Sequence, residues 1–195
     1  QVTIASPRGG PVAFDALSDP RDASGYAKDD LLSTGFIHTP ELMALLEDTP
    51  ALADLDPADY DAVVVCGGQA PMFTFHEEEA LHDFLRRFYD AGKPTAALCH
   101  GTSALLYVED GDGQPLIAGK TMTGFANAEE DYADEVVGQP VMPYRIEDRA
   151  KALGANFITG GAFVPFAVRD GHLITGQQQH SGRKTAELVI EALGR

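Results

Sequence analysis

The chain is short of basic residues, of cysteine and of long apolar runs. Lys and Arg number 14 against 30 Asp and Glu, for a net charge of −16. A surface that negative repels phosphate, so neither nucleic acid nor an anionic membrane surface is an expected partner. No apolar run approaches the roughly 20 residues that span a bilayer. The opening residues lack the basic-then-apolar pattern of an export leader. Two cysteines, Cys66 and Cys99, are too few for a disulfide scaffold, and the expected location is a reducing cytoplasm. There is no Walker pattern, no G-x-G-x-x-G and no basic aromatic strip, so nucleotide binding has no motif behind it. HEEEALH does not meet the zinc pattern H-E-x-x-H. His82 follows His76 by six residues, roughly 240° round a helix, as on a solvated helix face. His38 and His172 read as turn or surface residues, and no metal site is expected.

What is present is alternation. With 195 residues and 44% hydrophobic content, the chain can bury one sizeable core, and a single domain over 1–195 is expected. QVTIAS is short and β-branched and runs into the turn signal PRGGP. TPELMALLED offers Thr39 as N-cap, Pro40 at the first helical position and Glu41 in the first turn. DAVVVCGG is a near-continuous apolar run, as in a strand buried on both faces. Between His76 and Ala91, Leu81, Phe84, Leu85 and Phe88 fall at helical spacing, with Gly92 as the stop. PTAAL and KTMTGF are further strands, and YRIEDRAKALG is a helix closed by glycine. FVPFAVRDGHLITG reads as a β-hairpin around Asp170-Gly171, with Pro165 pointing to an edge. SGRKTAELVIEALG is a closing amphipathic helix with Ser181 as N-cap. No repeat, linker or low-complexity tract interrupts the series. The expected class is α/β, with mostly parallel strands, helices on both faces and a small hairpin.

Chemistry concentrates in KPTAALCHGTSALL, Lys93 to Leu106. A buried strand ends there, and a helix begins at Cys99-His100-Gly101. Sites in such sheets form at the carboxyl ends of the strands. A tight strand-to-helix turn would lift the Cys99 sulfur out of the sheet, where the helix N-terminus favours the thiolate. Gly101 leaves room for the close backbone approach that a nucleophile elbow needs, although Ala97 replaces the first glycine of G-x-S-x-G. The strand end CGGQAP offers backbone N–H groups to a developing oxyanion. Spacing alone leaves a buried structural cysteine and an ordinary glycine turn equally open.

AALCHG after a buried strand, VVVCGGQAPM one unit earlier and ASPRGGP at the start together resemble the ThiJ/PfpI superfamily of class I glutamine-amidotransferase-like proteins. PLIAGKTMTGFANAEED and VPFAVRDGHLITGQQ are similar to its heat-shock-chaperone and glutathione-independent glyoxalase branch. The resemblance implies a flavodoxin-like three-layer sandwich, a homodimer and no organic cofactor. It implies Cys99 as nucleophile and His100 as proton-transfer partner. It implies Glu130 as the acid a few residues after TGF, with Glu129 and Asp131 as neighbours that misalignment would substitute. EED on its own reads as a solvated acidic helix start. Gly67, Gly68 and Gln69 fall on the oxyanion and substrate side. Gln69 stands where the branch has histidine, and TGQQQHSG replaces TGQNP, bringing Gln178 and His180 toward the expected pocket. The family also begins with a strand and helix ahead of VTIAS, carrying a glutamate that hydrogen-bonds the nucleophilic sulfur. The expectation is that these residues are part of a longer protein, or that a partner supplies the segment.

The implied activity is glyoxalase III chemistry, a lyase reaction turning methylglyoxal into lactate without glutathione. The same elbow would also serve an amidase, peptidase or hydratase. The non-enzymatic readings are a holding chaperone and an oxidative-stress sensor whose reactive cysteine becomes the sulfinic acid. A Cys66–Cys99 redox pair is a further possibility, since the two cysteines end neighbouring strands.

Overall fold

The computed structural model describes residues 1–195, which divide into two compact units, Gln1–Asp56 and Pro57–Arg195. In the first, strand β1 (Arg8–Gly10) is followed by helices α1 (Leu31–Ile37) and α2 (Pro40–Met43), then by β2 (Thr49–Ala51), which pairs antiparallel with β1. Asp30 caps α1 by accepting from the Leu32 N–H at 3.0 Å. Thr39 occupies the α2 N-cap position with Pro40 behind it, but its hydroxyl donates back to the Gly35 carbonyl at 2.8 Å.

The strand expected at QVTIAS does not form, and PRGGP, read as a turn, contains β1. A strand exists only where it has a partner. Gly9 and Gly10 take φ 75° and 81°, which favour glycine, and Gly9 also lets the chain lie close to β2: a methyl group there would stand 3.1 Å from the Ala51 nitrogen.

The second unit alternates as expected. Its elements are β3 (Val63–Val65), α3 (Pro71–Thr74), α4 (Glu79–Asp90), β4 (Thr95–Leu98), β5 (Thr121–Met122), α5 (Asn127–Val137), α6 (Ile146–Ala152), β6 (Asn156–Phe157), β7 (Ala167–Asp170), β8 (Leu173–Gly176) and α7 (Gly182–Ala192). One sheet runs in the order β3-β4-β8-β7, parallel except for the β7–β8 hairpin, and a separate parallel pair joins β5 to β6. Asp170 faces Leu173 across a two-residue turn opened by Gly171 at φ 61°. Ala96 and Ile174 pack on Val189 of α7, while α4 and the 3₁₀ helix Cys99–Tyr107 pack on each other and on β4. Helices thus cover both faces, and the unit is an α/β flavodoxin-like fold with a mostly parallel core. The helical spacing on α4 is realised in full: Leu81, Phe84, Leu85 and Phe88 are all buried. No helix is long and apolar enough to cross a membrane.

Three local expectations are corrected. Val65 is buried, but Val64 is 46% exposed, because β3 lies at the end of its sheet and shows one face to solvent. The helix at His76 begins at Glu79, after a 3₁₀ turn over Phe75–Glu77. The helix after Cys99 is 3₁₀ rather than α. There the Thr102 hydroxyl donates to the Cys99 carbonyl at 2.7 Å, supplying a partner that an α-helical N–H would otherwise provide.

Candidate active site

Cys99 closes β4 with φ 56°, in the left-handed region. For a side chain other than glycine this costs about 1–3 kcal/mol and persists only where the surroundings enforce it. Two glycines provide that enforcement. A methyl group at Gly101 would overlap the Cys66 carbonyl, so the first turn of the 3₁₀ helix sits directly over the end of β3. A methyl group at Gly67 would lie 2.6 Å from Cys99 Cβ and 3.1 Å from its sulfur. Gly68 takes φ 108°, bending the β3 exit past the thiol. Cys99 itself is buried, at 8% exposure.

His100 lies between sulfur and carboxylate. Its Nδ1 is 3.9 Å from Cys99 Sγ and its Nε2 is 3.0 Å from Glu130 Oε1. The ring stacks on Phe125 with centroids 4.2 Å apart. Burial alone would lower its pKa, but the hydrogen bonds and charges of Cys99 and Glu130 outweigh it, and the imidazole is pushed up to about 9. The Glu130 carboxylate can only accept, so Nε2 carries the proton and donates to it.

The neighbouring acids separate cleanly. Glu129 Oε2 accepts from the Ala126 N–H at 2.9 Å and so caps α5, since the alanine has no side chain to do it. Its Oε1 accepts from the Phe163 N–H and from Gln177 Nε2, both at 2.9 Å. Asp131 is exposed and lies 3.0 Å from Arg145. Only Glu130 reaches His100, and the solvated reading of the acidic run is corrected, since Glu129 and Glu130 are 0% and 1% exposed. Successive helix positions differ by about 100° in direction, so adjacent glutamates serve different neighbours. The placement of Glu130 depends on the start of α5, which is also held by the Glu147 carboxylate accepting from the Asn127 N–H at 2.9 Å.

A sequence profile described as the DJ-1/PfpI family matches residues 43–192. The chain belongs to that family. It is 33% identical over 159 residues to Glyoxalase 3 of Candida albicans, covering 78% of this chain and 66% of that protein. It is 31% identical over 149 residues to a glutathione-independent glyoxalase of Saccharomyces cerevisiae, covering 74% and 62%. Among solved structures, glyoxalase III from Candida albicans superposes with a TM-score of 0.76 at 30% identity, over 88% of this chain and 74% of that one. The Rapid Encystment Protein of Francisella tularensis gives a TM-score of 0.86 at 27% identity, over 98% and 80%. The chain spans between 59% and 66% of the length of the first curated relatives it matches.

The elbow of this DJ-1/PfpI chain brings Cys99, His100, Glu130 and Gly67 together. Gln69 is half-buried and its carbonyl accepts from Met72 at the start of α3. Gln178 is buried, with its side-chain oxygen accepting from the His180 N–H, while His180 itself is exposed. His38 Nδ1 donates to the Thr34 carbonyl at the end of α1, and His172 sits in the hairpin turn. His82 lies 2.7 Å from the Phe75 carbonyl and stacks on Tyr107, so it is a packed residue rather than a freely solvated one. Cys66 and Cys99 are both free thiols, the first exposed and the second buried. Sequence reasoning passed over Phe125, Gln177 and Phe163. The TGF motif pointed to the acid beyond it rather than to its own phenylalanine, and nothing local marks the other two.

Proposed function

We propose that the chain carries a cysteine-dependent enzyme acting on small reactive 2-oxoaldehydes, converting methylglyoxal to lactate without glutathione. The observation that carries the reading is the Cys99–His100–Glu130 row at a strained strand end, with Cys99 Sγ 3.9 Å and Glu130 Oε1 3.0 Å from the two ring nitrogens of His100. The named activity of the relatives supports the same reading.

In this scheme the Cys99 thiol passes its proton to His100 and the sulfur adds to the aldehyde carbon. The carbonyl electron pair moves to oxygen and takes a proton from the His100 imidazolium, giving a hemithioacetal. The neutral imidazole then removes the hydrogen on that carbon to form an enediolate. Return of the proton to the adjacent carbon, with transfer of a hydroxyl proton between the two oxygens, leaves a thioester. Water cleaves it, releasing lactate and the thiol, so methylglyoxal plus water gives lactic acid. Glu130 stabilises the imidazolium and fixes the ring. In the same scheme the backbone N–H groups of Gly68 and His100 would donate to the oxygen that develops charge, with Gly67 and Gln69 on that side.

The test is lactate formation from methylglyoxal without glutathione, with Cys99→Ala beside the parent chain. Lactate from the parent alone supports the proposal. Turnover of amides without lactate would move the assignment to a hydrolase on the same elbow. Lactate from neither protein would remove the glyoxalase assignment.

A further inference from the structure

Cys99 and Phe163 are the two residues other than glycine with positive φ, both at 56°. The strain at Cys99 belongs to the elbow. Phe163 lies outside it, in the loop between β6 and β7, and two buried side chains pin that loop. Glu129 accepts the Phe163 N–H at 2.9 Å. Gln177, fully buried, donates to the same Glu129 oxygen at 2.9 Å and accepts the Gly160 N–H at 2.7 Å. A methyl group at Gly160 would press on the Phe166 side chain at 2.9 Å, so the loop has little freedom on its other side. A local cost enforced by a buried carboxylate and a buried amide argues for a position that matters.

The pinned ring continues a row of rings that starts at the reacting groups. His100 stacks on Phe125, Phe125 meets Phe163 edge-on at 6.4 Å, and Phe163 meets Tyr132 edge-on at 5.3 Å. The row passes from the buried imidazole to Tyr132, which is 59% exposed, with Phe163 half-buried between them. We infer that Phe163 is a specificity-determining residue: its ring, held in place by Glu129 and Gln177, is the wall that limits the size of the group able to stand beside the Cys99 sulfur. Glu129 and Gln177 are positioning residues acting through that ring. On the proposed reaction, the wall selects 2-oxoaldehydes with a hydrogen or methyl substituent over those with an aromatic one.

The experiment reads the wall without needing that reaction. The parent chain, Phe163→Ala, Phe163→Tyr and Glu129→Gln are alkylated with iodoacetamide and with N-phenylmaleimide. The rate at Cys99 is followed by peptide mass spectrometry, which separates it from exposed Cys66. Phe163→Ala raises the rate with the bulky reagent relative to the small one by about tenfold, and Phe163→Tyr keeps the parent ratio. Glu129→Gln moves the ratio in the Phe163→Ala direction, because one amide oxygen cannot accept from all three of its donors. Phe163→Leu, which keeps apolar packing but loses the breadth of the ring, decides the matter should the alanine variant fail to fold. An unchanged ratio in a natively folded Phe163→Ala or Phe163→Leu overturns the inference. The same proteins are then assayed on methylglyoxal and phenylglyoxal, where loss of the ring lowers KM for phenylglyoxal more than it changes kcat. A ratio shifted in the variants of a chain that turns over neither aldehyde supports the wall and removes the proposed reaction.

Discussion

Glu130→Gln keeps the shape of the side chain and an oxygen facing His100, and removes only the charge. The His100 pKa is raised from 6.5 to about 9, which corresponds to roughly 3 kcal/mol in favour of the charged ring. That surplus is reached against burial, with Cys99 and Glu130 as its two sources. An opposite charge in direct contact with a buried group shifts its pKa by about one to three pH units. The variant's imidazole should therefore titrate that far below its parent, close to neutrality. If the imidazolium is the acid that protonates the first oxygen, the parent loses activity as pH rises through about 9, and the variant loses it correspondingly earlier. The sign for stability follows from the raised pKa. Its contribution is complete below the unfolded value near 6.5 and disappears as pH rises through about 9. The parent should thus exceed Glu130→Gln in urea stability most clearly near pH 6, with the gap narrowing toward pH 9.5. The assays are the pH profile of lactate formation and urea melts at the two pH values. An alkaline limb that stays near 9 in a folded Glu130→Gln protein would refute the assignment of the charge to this pair.

Other substitutions probe the elbow itself. Cys99→Gly and Cys99→Ala should both be inactive, but the glycine variant should be the more stable by about 1 kcal/mol in urea, because only alanine keeps the left-handed strain. Gly101→Ala drives a methyl group into the Cys66 carbonyl, and should cost about 2–3 kcal/mol, lowering Tm by roughly 4–10 °C in calorimetry. Gly67→Ala pushes on Cys99 Cβ. Displacing the sulfur by a fraction of an ångström should reduce activity by about 100-fold, read as lactate formation at saturating methylglyoxal.

The second unit was legible wherever one element's own residues decide its structure. The spacing of Leu81, Phe84, Leu85 and Phe88 can bury a single face only as a helix, and all four are buried. The apolar run ending at Leu98, followed by Cys-His-Gly, announces a strand meeting a helix, and the chain turns there. QVTIAS was not legible, because β-branched residues describe a willingness to pair and not the presence of a neighbour. The 3₁₀ form of the helix after Cys99 depends on one hydroxyl bond from Thr102 and on Gly101 seated over β3, neither of which has a periodicity.

The acidic run shows where local reading stops. From spacing, Glu129 and Glu130 are an exposed helix start, and resemblance alone pointed to the second of them. What distinguishes the two is the direction of each side chain about the α5 axis and what waits there. For Glu130 it is His100, 30 residues earlier; for Glu129 it is Phe163, 34 residues later, and Gln177, 48 residues later. No window along the chain holds those pairs together. Each carboxylate is nevertheless buried, a costly state unless it is matched by donors. Glu129 has three N–H donors, which hold its charge in place and make it scaffold. Glu130 has one nitrogen that can gain or lose its proton, and its Oε2 is buried without a hydrogen-bond partner. The difference in partners, rather than in residue type, ties one of two adjacent glutamates to backbone and amide donors and sets the other against the His100 ring.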